Sequence, residues 1–120
     1  MTTLFDSEFK VMEIVWQHAP ITAKDISVIA ASTIGWNKNT TYTVLKKLVE
    51  KGVIERQEPH FVCVATVTRE QVRQTEARSL LDRLFGGSKA ALFSSLLEDE
   101  ELTQDELDEL TALLKEKTSS

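Results

Sequence analysis

Three helical segments followed by two short strand-like runs fill the first 65 residues, and this order restricts the chain to few folds. Apolar residues recur every three or four positions in the helical segments, which are predicted at 7–18, 23–31 and 37–51. Strand-like runs at 53–56 and 61–65 flank a turn at 57–60, so a β-hairpin is predicted. This order is typical of a winged helix-turn-helix, in which the hairpin is the wing.

Three threonines mark the starts of helices. Each is followed, three positions later, by an acidic or amide residue that can complete a capping box. The pairs are Thr22 with Asp25, Thr68 with Gln71, and Thr103 with Glu106. After Thr68 the patterns are helical only. We therefore predict a mostly α fold with a small β-hairpin (α+β), divided into a winged-helix DNA-binding domain at 1–67 and a helical dimerisation domain at 68–120.

The composition excludes several classes of protein. The single cysteine, Cys63, rules out an intrachain disulfide and a thiolate cluster, and the two histidines, His18 and His60, lie in different elements, so no metal or other cofactor is expected. No Gly-rich phosphate loop or nucleophile motif is present, so the chain is not predicted to be an enzyme. The absence of an 18-residue apolar run and of a signal-peptide pattern predicts a cytoplasmic protein with no membrane partner.

The net charge of −5 is confined to one half of the chain. Residues 1–66 contain seven basic and seven acidic residues, whereas residues 67–120 contain seven basic and twelve acidic ones. The first half can therefore still present a local basic patch to double-stranded DNA.

The third predicted helix has the two faces that a DNA-reading helix needs. Thr41, Val44, Leu45 and Leu48 form the inner face, while the outer face is polar and partly basic. Such a face is also what a solvated helix shows, and the element order favours the DNA interpretation. With the start of the second helix and the wing, the predicted DNA-binding residues are Thr22, Lys24, Lys38, Asn39, Thr40, Tyr42, Thr43, Lys46, Lys47, Arg56 and His60.

The last 53 residues also contain apolar residues at helical spacing. A segment of this length is too short to bury all of these side chains by itself. A symmetric homodimer would cover them and would present two reading helices to two half-sites. The predicted dimer-interface residues are Val72, Leu80, Leu81, Leu84, Phe85, Leu92, Phe93, Leu96, Leu97, Leu107, Leu110, Leu113 and Leu114.

Three segments resemble the penicillinase repressors of the BlaI/MecI group, to which the copper repressor CopY is related. They are the opening helix at 7–16, the third helix at 40–52 with Trp36 before it, and the start of the last helix at 102–107; the similarity runs over about residues 6–117. The resemblance implies a homodimeric winged-helix repressor on an inverted-repeat operator. It implies control of β-lactam resistance or related genes, with release by proteolysis or by another signal.

The chain departs from the family pattern at several positions. In the β-lactam branch a membrane sensor-protease pathway leads to cleavage of an Asn-Phe bond, which aligns with Ser95–Leu96 here. The Cys-x-Cys motifs of the copper branch are absent, so the chain is BlaI/MecI-like. The usual Gly-Arg near the tip of the wing is His60-Phe61, and the usual Ser-Pro before the third helix is Asn37-Lys38. The alternative function is a winged-helix protein-interaction module that does not bind DNA.

Overall fold

The structure is a computed structural model that describes residues 3–99 and 102–119. The chain forms two compact units, Met1–Ala77 and Arg78–Ser120. Helix α4 (Arg69–Phe85) crosses from one unit to the other. The functional boundary at 67–68 therefore stays a prediction.

The amino-terminal unit has the predicted winged-helix architecture, which confirms the fold class. Its elements are α1 (Asp6–His18), β1 (Ile21–Thr22), α2 (Ala23–Thr33), α3 (Lys38–Glu50), β2 (Ile54–Gln57) and β3 (Val62–Ala65). The strands form an antiparallel sheet in the order β1-β3-β2. Strand β1 is not predicted from the sequence, because two residues are too short for a period-2 pattern.

The core of this unit lies between the three helices and the sheet, and its members follow the predicted apolar spacing. They include Val11, Met12, Val15, Ile26, Ala30, Val44, Leu45, Leu48, Ile54 and Cys63. Burial raises the pKa of the Cys63 thiol to about 11, against a smaller opposite effect of Arg56. The thiol is therefore protonated at neutral pH and behaves as a small apolar side chain.

The predicted helix starts are present in the hydrogen bonding. Thr68 Oγ1 accepts from Gln71 N at 3.1 Å while Thr68 N donates to Gln71 Oε1 at 2.8 Å, which is a complete capping box. Thr103 and Glu106 form the same reciprocal pair. Thr22 Oγ1 accepts from Asp25 N at 3.1 Å, but the shorter Asp25 side chain makes no return bond.

The first turns of α4 are tied to the rest of the amino-terminal unit by polar contacts. Arg69 Nη2 lies 2.9 Å from Glu13 Oε2, and its guanidinium carbon lies 5.4 Å from the centroid of the Trp16 ring. Trp16 Nε1 donates to Val67 O at 2.9 Å, and Leu4 N donates to Glu76 Oε1 at 2.8 Å. The start of α4 therefore belongs structurally to the winged helix.

Replacing Thr68 with alanine is expected to destabilise the amino-terminal unit by about 1 kcal/mol, because the start of α4 loses its cap. The measurement is urea unfolding followed by tryptophan fluorescence, since both tryptophans, Trp16 and Trp36, lie in this unit. Ser32→Ala is the control, because the Ser32 hydroxyl only bonds back to its own helix. Equal stability of the two variants would contradict the capping role.

The carboxy-terminal unit contains the rest of α4 and two further helices, α5 (Lys89–Asp99) and α6 (Gln104–Ser119). Ser88 Oγ accepts from Ala91 N at 3.1 Å and so caps the start of α5. Within the described ranges, no helix combines the length and the apolar character that a bilayer crossing requires.

Candidate nucleic-acid interface

Helix α3 presents its predicted polar face to solvent. Thr41, Val44, Leu45 and Leu48 are buried, and this buried side sets which residues point outward. The exposed residues of the outer face are Lys38, Asn39, Thr40, Thr43, Lys46 and Lys47. Asn37 fixes the start of the helix, since its Oδ1 accepts from Thr40 N at 2.8 Å. The positive end of the helix dipole therefore lies beside the polar face.

The lysines of this surface are not neutralised by carboxylates. Lys24, Lys38, Lys46 and Lys47 form no ion pair with any residue in 3–99 or 102–119. Lys38 Nζ lies 5.6 Å from the centroid of the Tyr42 ring, where it makes a cation–π contact. Exposed ammonium groups with no acidic partner are available to phosphate oxygens.

Asn39 and Thr43, two polar residues on the exposed face of α3, differ in their capacity for further hydrogen bonds. Thr43 Oγ1 donates to Asn39 O at 2.9 Å, so its proton is used within the helix, and the exposed side chain keeps a methyl group and the acceptor capacity of its oxygen. The Asn39 side chain is exposed and forms no recorded hydrogen bond in the described part of the chain. It retains both a donor and an acceptor, the pattern that pairs with an adenine edge.

The start of α2 is a second part of the predicted interface. Thr22 is half-buried and its hydroxyl oxygen accepts from Asp25 N, which leaves the hydroxyl proton free to donate. Lys24 is exposed. A helix start with a hydroxyl and an ammonium group suits a phosphate of the DNA backbone.

The wing contributes a cluster that the sequence patterns did not reveal. Phe61, predicted as the first residue of a strand, lies in the turn before β3 with a φ of 50°, and it is 9% exposed. Its ring packs edge-on against Tyr42, with centroids 6.0 Å apart, and the guanidinium carbon of Arg56 lies 3.7 Å from its centroid. Arg56 also forms an ion pair with Glu58.

The structure thus brings some predicted DNA-binding residues together and leaves others apart. Arg56 and Lys46 line one shallow groove with Phe61, Val49 and Glu50. His60 is exposed in the turn with a φ of 74° and forms no hydrogen bond or ion pair with a described residue. An aromatic residue directly after a turn is the signal that could have identified Phe61.

The predicted dimer residues divide into covered and uncovered ones. Val72 and Leu81 are buried within the chain itself, so they are not free surface for a partner. Phe85, Leu92 and Leu110 are half-buried. The exposed members are Leu80, Leu84, Phe93, Leu96, Leu97, Leu107, Leu113 and Leu114.

Helices α5 and α6 form an apolar groove of about 340 Å³ within the carboxy-terminal unit. Its lining residues are Phe93, Leu97, Leu107, Leu110, Thr111, Leu113 and Leu114. Ser95 and Leu96, the predicted counterparts of the bond cleaved in the β-lactam branch, are exposed in α5. The described residues contain no group of three or more potential metal ligands.

The sequence matches the penicillinase repressor family over residues 4–116. The chain belongs to this family. It is 26% identical over 113 residues to the penicillinase repressor of Bacillus licheniformis, an alignment that covers 92% of this chain and 88% of the relative. It is also 26% identical to the methicillin resistance regulatory protein MecI of Staphylococcus aureus strain N315, with 92% of each chain covered.

The solved structure of the DNA-binding domain of the repressor BlaI is similar to 55% of this chain. The match covers 83% of that domain, with a TM-score of 0.52 and 25% sequence identity. The predicted BlaI/MecI relationship is therefore confirmed. The penicillinase repressors are transcriptional regulators and not enzymes, which agrees with the prediction from the sequence.

Proposed function

We propose that the chain is a homodimeric transcriptional repressor that binds an inverted-repeat operator through α3. One observation carries this proposal: the helix buries one face and exposes on the other a set of polar groups, including lysines that form no ion pair within residues 3–99 and 102–119. A major groove admits one α-helix of this kind. The BlaI domain that the amino-terminal unit resembles is itself described as a DNA-binding domain, which supports the same role.

The geometry supports two roles within the interface, contact with bases and contact with phosphates. Asn39 and Thr43, both exposed, contact bases, because the amide pairs with adenine and the threonine methyl group packs on thymine. Tyr42 is half-buried and contacts the backbone at the edge of the groove. The phosphate contacts come from the lysines of α3, from the start of α2 and from the wing: Thr22, Lys24, Lys38, Thr40, Lys46, Lys47, Arg56 and His60.

Dimerisation is proposed to occur through the carboxy-terminal unit. Eight large apolar residues between Leu80 and Leu114 are exposed in the isolated chain, which is more apolar surface than a monomer of this size usually shows. A two-fold axis would cover the same face on both protomers. It would also set two copies of α3 against half-sites about one helical turn apart.

The names of the relatives support a role in β-lactam resistance or in the control of related genes. We propose a cytoplasmic repressor that is released from its operator by proteolysis or by another signal. The exposure of Ser95 and Leu96 on α5 is compatible with access by a protease, although both residues differ from the cleaved pair of the family.

The test of this function is a binding titration on a duplex of the promoter that precedes the gene itself. Lys46→Ala is expected to lower the affinity about tenfold at moderate salt, because each protomer loses one phosphate contact. The slope of log affinity against log salt should fall by about 2 for the dimer.

Lys10→Ala is the matched control for this titration, because Lys10 is an exposed lysine of α1 outside the proposed interface. It removes the same charge and should leave both affinity and slope near the wild-type values. A wild-type chain without salt-sensitive, sequence-preferring binding would refute the repressor function and favour the interaction module. Equal losses in the two variants would refute the placement of Lys46 on DNA.

A further inference from the structure

Two contacts anchor Phe61 at the turn of the wing. Its carbonyl oxygen accepts from Ala23 N, the first residue of α2, at 2.9 Å. Its ring meets the Tyr42 ring of α3 at an interplanar angle of 86°. With 9% of its surface exposed, the side chain is nearly immobilised between the wing and the reading helix.

Arg56 extends from the side of the wing that faces the core. Arg56 pairs across the sheet with Cys63, which is fully buried, and paired residues point to the same face of a sheet. It also lies two positions after the buried Ile54, and residues two apart in a strand share a face, so both observations place Arg56 on the face toward the core. At the open end of the sheet, its guanidinium lies over the Phe61 ring and borders the groove that Lys46 also lines. The charge is therefore held beside α3.

The partners of Arg56 differ in how firmly they bind it. The ion pair with Glu58 is at the surface, with side chains 43% and 59% exposed, and such pairs are weak and readily exchanged for another anion. The stack on Phe61 uses the planar face of the guanidinium. The hydrogen-bonding edge stays available, so the stack persists when another anion replaces the Glu58 carboxylate.

We propose that Phe61 is the positioning residue that holds the Arg56 guanidinium beside the reading helix for a DNA phosphate. The phosphate takes the place of the Glu58 carboxylate, and the stacked side chain loses little conformational freedom when it binds. Because the same ring contacts Tyr42, the wing and α3 engage the duplex as one body. This inference rests on the proposed function.

The experiment measures the affinity of the full chain for the promoter duplex and its salt dependence. The variants are Phe61→Leu, Arg56→Ala and Arg56→Lys, and the double variant Phe61→Leu/Arg56→Ala. We expect Arg56→Ala to weaken binding about tenfold and to lower the salt slope by about 2, one contact for each protomer. Phe61→Leu should reproduce most of both changes, and the double variant should be no weaker than Arg56→Ala alone.

Arg56→Lys separates positioning from charge. It keeps the positive charge but loses the planar stack, so it should bind nearly as weakly as Arg56→Ala. Full affinity of Arg56→Lys would overturn the proposal, because charge alone would then suffice. Glu58→Gln should strengthen binding several-fold in the wild-type background and have no effect in Arg56→Ala, whereas weaker binding would contradict the displacement of Glu58.

Loss of folding is distinguished by urea unfolding of each variant. Leucine keeps an apolar contact at position 61, so a folded Phe61→Leu variant with an unchanged salt slope would overturn the positioning role. Additive losses in the double variant would do the same, since Phe61 would then act independently of Arg56. Failure of the wild-type chain to bind DNA would refute the proposed function and this inference together, whereas normal binding by Phe61→Leu refutes only the inference.

Discussion

A glutamate in place of Leu114 is expected to convert the proposed dimer into folded monomers and to lower the affinity for the proposed operator by at least about 100-fold. Leu114 is 61% exposed on α6 in the isolated chain, so the substitution costs little in a monomer. In a two-fold interface the same change buries two unpaired carboxylates, which is strongly destabilising. A monomer also loses the advantage of binding two half-sites at once.

The measurements are light scattering coupled to size exclusion for the mass and a binding titration for the affinity. Ala112→Glu is the matched control, because Ala112 is exposed on the same helix about 200° away from Leu114 around the axis. It adds the same charge but lies off the apolar stripe, so the dimer should persist. A dimeric Leu114→Glu variant, or a wild-type chain that is itself monomeric, would contradict the proposed interface.

Local sequence chemistry predicted the helices of this fold well. Threonine caps at Thr68 and Thr103 form as expected, and Asn37 starts α3, because a capping hydrogen bond joins residues only three apart. The buried face of α3 also follows from its spacing. That face in turn determined which residues of α3 are exposed, so most of the candidate site on this helix was accessible to sequence reasoning.

Contacts between residues that are far apart in the sequence could not be predicted from local patterns. The ring of Phe61 meets Tyr42 and Arg56 only because the turn of the wing folds back onto α3, and no periodicity records this. The short strand β1 exists because Ile21 and Thr22 pair with β3 and not because of their own pattern. Val72 and Leu81 have the same spacing as the exposed apolar residues, so only the structure separates covered positions from free ones.

A buried ion pair between α1 and the end of α3 is the strongest example of such a distant contact. Lys51 Nζ lies 2.6 Å from Glu8 Oε1, 3.3 Å from Thr3 O and 4.6 Å from the centroid of the Phe5 ring. Glu8 is 1% exposed, and its Oε1 also accepts from Phe5 N at 2.8 Å. Its Oε2 has no partner among the described residues. The carboxylate therefore depends on Lys51 for its charge balance.

Replacing Lys51 with methionine is expected to lower the free energy of unfolding of the amino-terminal unit by about 3 kcal/mol, because it leaves a buried carboxylate without its cation. The expected loss lies at the lower end of the range for buried pairs, since the Lys51 side chain is 22% exposed and water reaches that side of the pair. Urea unfolding followed by the fluorescence of Trp16 and Trp36 measures it. Lys10→Met, on an exposed face of α1, should change the stability by less than about 0.5 kcal/mol.

A second substitution tests whether the uncompensated charge is the cause. Glu8→Gln in the Lys51→Met background removes the buried charge and keeps an oxygen that accepts from Phe5 N, so it should recover about 2 kcal/mol of the loss. No recovery would show that Lys51 stabilises the chain through its packing on Phe5 instead of through Glu8. Recovery would show that one charge pair, between residues 43 apart in sequence, links the first turn of α1 to the residue that follows α3.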